Sequence, residues 1–127
     1  MGEDNVAGSK RILLIDDERL VTRVMKRALR GHEVETADSV PGALALLEQD
    51  PSYGLVLCDL HLGSDSGINL YKQAAQRWPE LAARFVFVHG GITRTQDEVF
   101  LREIGNEQML KPVAIPALRE LVSRFLG

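Results

Sequence analysis

The sequence predicts an α/β protein, an open doubly wound parallel sheet of five strands with five helices. Two features carry that prediction. Short continuous apolar runs recur along the chain, as in strands buried on both faces. Between them lie segments with apolar residues at helical spacing, bounded by residues that start or stop helices. The length of 127 residues fits one compact domain with its own core.

The elements follow in order. "RILLI" (Arg11–Ile15) is the first strand. "ERLVTRVMKRALRG" is the first helix, with Leu20, Val21, Val24, Met25, Ala28 and Leu29 at helical spacing and Gly31 as its stop. "EVET" is a short second strand. Ser39 caps the second helix, which carries Pro41 in its first turn and turns Ala43, Leu44 and Leu47 to one side. "YGLVLC" is the third strand, followed by the helix "SGINLYKQAAQRW", capped by Ser66 and ended by Pro79. "RFVFV" is the fourth strand. "TQDEVFLREIG" is a helix ending at Gly105, "EQML" a short fifth strand, and "IPALRELVSRFL" a final amphipathic helix with Leu118, Leu121, Val122 and Phe125 inward. The expected strand order is the flavodoxin-like 2-1-3-4-5. Residues 1–10, "MGEDNVAGSK", are expected to be a flexible tail or linker, and residues 11–127 the domain.

Composition narrows the function. Hydrophobic residues make up 45% and charged residues 26%, an ordinary globular balance. The net charge of -3 and pI of about 5.6 argue against a nucleic-acid surface. Cys58 is the only cysteine, so no intrachain disulfide forms, and its apolar setting suits a buried small residue. No stretch has the length of a membrane helix and the N-terminus lacks a signal-peptide core, so a cytoplasmic domain without membrane contact is expected.

In a doubly wound sheet, ligands bind at the carboxyl ends of the strands. Asp16 and Asp17 follow the first strand, Asp59 the third, His89 the fourth and Lys111 the fifth. Three carboxylates converging on one crevice repel one another and call for a counter-charge. Mg2+ suits a few carboxylates plus waters, and Lys111 adds a second positive charge. Carboxylate, divalent cation and ammonium together suit a phosphoryl group, with an Asp59 oxygen as nucleophile. Singly, the motifs have plainer uses: Asp17 could cap the first helix, and Lys-Pro is common before helices.

The acidic pair in "LIDDE", the aspartate in "LVLCDLHLGSDSG" and the lysine in "MLKPV" resemble the response-regulator receiver domain of two-component signalling, from about Arg11 to Phe125. The resemblance implies that Asp59 accepts a phosphoryl group from a histidine kinase or a histidine phosphotransfer protein. It implies that Asp17, Asp59 and the backbone carbonyl of His61 ligate Mg2+, that Asp16 acts through water, and that Lys111 contacts the phosphoryl group or Asp59. "RFVFV" and "ALRELVSRFL" look most similar to receivers of hybrid histidine kinases.

The sequence departs from the family at three positions. His89 stands where Thr or Ser is usual, Gln108 where an aromatic residue is often found, and Gly63 where the loop usually has proline. His89 reads either as a strand-end histidine bonded to backbone or as a donor to phosphoryl oxygens. His61 could orient or exclude the hydrolytic water. The pair His89 and Gln108 leads us to expect little rearrangement on the face of the last two helices and fifth strand, with output resting on the loop "HGGITRTQ" and the added charge.

Other functions remain beside the phosphoacceptor. One is a pseudo-receiver that binds partners without a phosphorylation-driven switch. Another is a small phosphohydrolase with an aspartyl-phosphate intermediate, although His61 stands where a second acid would be needed. A transition-metal site formed by His61, His89 and the carboxylates is a further reading.

Overall fold

The computed structural model describes residues 9–127. The chain runs β1 (Arg11–Ile15), α1 (Arg19–Ala28), β2 (Glu33–Ala37), α2 (Val40–Gln49), β3 (Leu55–Asp59), β4 (His61–Leu62), β5 (Asp65–Ser66), α3 (Gly67–Arg77), α4 (Pro79–Ala82), β6 (Phe85–His89), α5 (Thr95–Ile104), β7 (Gln108–Leu110) and α6 (Ile115–Leu126). The main sheet has the order β2-β1-β3-β6-β7, and all its pairings are parallel. Without the small β4–β5 hairpin this is the expected 2-1-3-4-5.

Each buried strand serves both faces by the period-two alternation of its side chains. Leu13, Ile15, Val56, Cys58, Phe85 and Phe87 join a core completed by Val40, Ala43 and Leu47 of α2, Ile68, Leu70 and Ala74 of α3, and Leu101 of α5. Ile12, Leu14, Leu55, Leu57, Val86 and Val88 face the other way, against Met25 and Leu29 of the first helical segment and Leu118, Leu121, Val122 and Leu126 of α6. That division explains why β1, β3 and β6 read as unbroken apolar runs.

Local signals set the helix ends. Ser39 Oγ accepts from the Gly42 N–H at 3.1 Å, and Ser66 Oγ accepts from the Asn69 N–H at 3.1 Å. Gly105 ends α5 in the left-handed region, with φ at 74°.

Some expectations need correction. The described residues form six helices, because Pro79 does not merely end α3 but opens the short α4, a place its fixed φ favours. The residues after β3 form the β4–β5 hairpin. α1 stops at Ala28, before Gly31. Leu20 and Val24 share its helical spacing yet are 70% and 52% exposed, since only the Met25 and Leu29 side meets the sheet. In α6, Leu126 is buried while Phe125 is only half-buried. Residues 1–8 of the expected tail lie outside the described residues. Ser9 donates to the Ser52 carbonyl at 2.6 Å, and Lys10 Nζ donates to the Leu126 carbonyl.

One close approach positions the site. A Cβ on Gly67 would lie 2.3 Å from the Asp59 carbonyl oxygen and 2.8 Å from Cys58 Sγ. Only glycine lets α3 begin against the end of β3. Gly67→Ala is therefore expected to lose roughly 2–3 kcal/mol, because neither backbone nor core sulfur can yield cheaply. A denaturant titration beside wild type measures this.

Candidate functional site

The carboxyl ends of β1, β3, β6 and β7 bring together most of the residues singled out from the sequence. Pairing of Ile15 with Cys58 places Asp16 beside Asp59. Both carboxylates are buried, each residue 4% exposed. Asp17 is exposed at the rim. One carboxylate oxygen from each of Asp16, Asp17 and Asp59 lies within 4.8 Å of the others, the one such acidic, histidine or cysteine group among the described residues.

Lys111 reaches in from the end of β7. Its Nζ lies 2.9 Å from Asp59 Oδ2, 3.1 Å from Asp16 Oδ2 and 3.2 Å from Glu18 Oε1. Burial works against its charge, but the bonds to Asp59 and Asp16 outweigh that, and its pKa stands above the ordinary lysine value. The other oxygens are held by backbone: the His61 N–H donates to Asp59 Oδ1 at 3.1 Å and the Glu18 N–H to Asp16 Oδ1 at 2.9 Å. Asp17 does not cap α1. Glu18 is the N-cap residue and makes no side-chain cap bond, and Asp17 Oδ2 instead accepts the Gly63 N–H at 2.9 Å across the site.

Burial raises the Asp16 pKa, and the bonds from Glu18 and Lys111 offset this only in part. An acid with a raised folded pKa holds its proton more tightly in the folded chain. Its ionisation thus removes stability as pH rises through and above the ordinary range near 3.8. Asp16→Asn abolishes that loss, while Lys111 stays charged throughout. The melting temperature of the variant, relative to wild type without divalent cations, is expected to rise as pH climbs above the ordinary carboxylate range and then to level off. A flat difference would show that Asp16 carries no such penalty.

The donor set fits a hard divalent cation. All three candidate ligands offer carboxylate oxygens, their charge exceeds what one lysine balances, and Asp17 leaves the rim open to solvent. Neither His61 nor His89 belongs to the cluster. His61 has an exposed side chain and pairs with Ser66 in the hairpin.

His89 is buried, 5% exposed, and both of its ring nitrogens are engaged. Nδ1 accepts the Gly91 N–H at 3.1 Å, and Nε2 lies 2.9 Å from Gln108 Oε1. The backbone bond was foreseeable for a strand-end histidine. The bond to Gln108 was not, since it depends on the β6–β7 register, which pairs His89 with Leu110 and so sets Gln108 diagonally behind it. Gln108 is exposed, but its amide oxygen faces this ring.

Sequence reasoning also missed a surface beside the pocket. Exposed Leu20 and Val24 of α1 form an apolar groove with Pro112, Val113 and Ile115, and Lys111 lines it too. The same helix also carries exposed Arg19, Arg23, Lys26 and Arg27, none paired with an acid among the described residues. The apolar periodicity of α1 was legible, but not which part of it the sheet leaves uncovered.

A sheet of this order, with paired acids after β1, an aspartate ending β3 and a lysine directly after β7, defines the receiver class of signalling domain. The family model described as the response regulator receiver domain matches residues 12–123, and the chain belongs to that family. It is 32% identical over 118 residues to the alginate biosynthesis transcriptional regulatory protein AlgB of Pseudomonas aeruginosa, covering 91% of this chain and 26% of that protein. It is 26% identical over 117 residues to the aerobic respiration control sensor protein ArcB of Escherichia coli, covering 90% of this chain and 15% of that one. The chain thus spans about a quarter or less of the length of these curated relatives. Among solved structures, a CheY-like response regulator receiver domain protein from Methanospirillum hungatei superimposes with a TM-score of 0.79 at 29% identity, over 92% of this chain and 93% of that one. Among the described residues, no helix is long and apolar enough to cross a membrane.

Proposed function

We propose that the chain accepts a phosphoryl group on a carboxylate oxygen of Asp59, from a phosphohistidine of a histidine kinase or histidine phosphotransfer protein. One observation carries the reading: a buried carboxylate at the end of β3, with an ammonium at 2.9 Å and two further carboxylates at its side. An Asp59 oxygen attacks phosphorus, an O–P bond forms and the donor's N–P bond breaks. The electron pair of that bond returns to the donor imidazole, which takes up a proton. Lys111 offsets charge on the equatorial oxygens as they pass between the two sites. Asp17 and Asp59, with the His61 backbone carbonyl, would hold Mg2+, and Asp16 would act on it through water. The bound cation supplies charge neutralisation for the transferring group.

The groove of Leu20, Val24 and Val113 next to Lys111 supports a donor whose docking surface is apolar. The interaction-module reading has one observation in its favour, namely that both nitrogens of His89 are already occupied.

The test is intact-mass measurement after incubation with acetyl phosphate and Mg2+. One added phosphoryl group is expected, and none when the cation is chelated. An unchanged mass under both conditions overturns the phosphoacceptor reading in favour of the interaction module. Asp17→Ala is expected to weaken Mg2+ binding at least tenfold by calorimetry, because it removes the accessible carboxylate of the set. Equal binding would place the cation elsewhere.

A further inference from the structure

The contacts of His89 leave it a single donor. The Gly91 N–H points at Nδ1, so Nδ1 is the acceptor and carries no hydrogen. The ring hydrogen is therefore on Nε2, which donates to Gln108 Oε1. The alternative amide orientation fails, because a Gln108 NH2 facing Nε2 would force the ring hydrogen onto Nδ1, against the Gly91 N–H. The His89 backbone is fixed as well, since its carbonyl accepts the Lys111 N–H at 2.8 Å. Only the side chain is free to change partner.

His89 is also placed to serve the acceptor. Asp59 pairs with Val88 on the neighbouring strand, and His89 is the next residue. Asp59 and His89 thus end neighbouring strands at the same rim of the sheet.

We propose that Gln108 is a positioning residue for the acceptor site: it withholds the Nε2–H of His89, so that the His89–Gln108 bond and a phosphoryl group on Asp59 compete for one donor. The inference rests on the acceptor reading of Asp59. When the phosphoryl group wins, the ring leaves Gln108 and Gly91, and the exposed Gln108 amide turns to water. The strands stay in register, so the state of Asp59 reaches the surface of β7 as one freed amide and one freed loop N–H. Gln108 thereby weakens retention of the phosphoryl group by the strength of one hydrogen bond. Because Gln108 can bond water instead, that strength is modest.

Two measurements test this. The first is the ring 15N spectrum of His89 in the unphosphorylated protein, distinguished from His32 and His61 by substituting each of those. The Nε2–H tautomer with an accepting Nδ1 is expected, and the opposite tautomer overturns the proposal whatever occurs at Asp59. The second is beryllofluoride binding with Mg2+ in wild type, Gln108→Ala and Gln108→Met. Both variants are expected to bind about 3- to 10-fold more tightly than wild type, the effect of removing one competing acceptor. In wild type the His89 Nε2 signal should shift on binding. Equal or weaker binding by the variants, with wild type still gaining mass from acetyl phosphate, overturns the competition alone. Absence of both mass gain and beryllofluoride binding in every form overturns the acceptor reading and the competition with it.

Discussion

Asp59→Asn is expected to gain no mass under acetyl phosphate and Mg2+, while wild type gains one phosphoryl group. Asn keeps the shape of the side chain, and its Oδ1 can still accept the His61 N–H that Asp59 Oδ1 accepts at 3.1 Å. What it lacks is an anionic oxygen to attack phosphorus. Asp16, the other buried carboxylate, is tied to the Glu18 N–H and Lys111 and is not expected to substitute. The same variant should be about 0.5–1 kcal/mol more stable than wild type in cation-free, low-salt solution, because one of several crowded like charges has gone. Saturating Mg2+ should erase that difference by stabilising only the form with the complete carboxylate set. Thermal melts with and without the cation measure both effects. A variant that still gains mass would move the acceptor away from Asp59.

Lys111→Met is expected to cut the rate of phosphoryl uptake by about 10²–10³, the usual cost of removing a positioned charge at a transferring group. Met retains an apolar stem in the lining of the α1 groove while deleting the ammonium. Asp16 and Asp59 would then be buried with no cation at 3.1 and 2.9 Å. Breaking a buried pair from one side leaves an uncompensated charge, so stability should fall by about 2 kcal/mol at neutral pH. Lowering the pH should restore part of it, since protonating Asp16 becomes easier without the lysine. Rapid-quench phosphorylation assays and denaturant titrations at two pH values test the pair of claims. Near-normal uptake would show that Lys111 is structural only.

The sequence made the layered sheet legible through β1, β3 and β6, whose residues are buried on both faces and so had to be apolar throughout. The serine caps of α2 and α3 were legible because they act within three residues. So were the acids and the lysine at the strand ends, once strand order set them side by side. Features that depend on fit between elements were not legible. The β4–β5 hairpin has two residues per strand, too few for a pattern. Leu20 has the spacing of a core residue, and only the seating of α1 on the sheet leaves it outside. The His89–Gln108 bond spans 19 residues and hangs on strand register.

Cys58 sits one residue before Asp59, wholly buried, and burial followed by the nearby charges of Asp59 and Asp16 pushes its thiol well above the ordinary range. In the native state it is closed to a disulfide reagent. Labelling can proceed only from molecules whose sheet has opened at β3, so the rate of thiol modification counts those openings directly. The chain thus carries an internal clock at its centre. Anything that ties down Asp59, whether cation or phosphoryl mimic, should slow that clock in proportion to the stabilisation it confers.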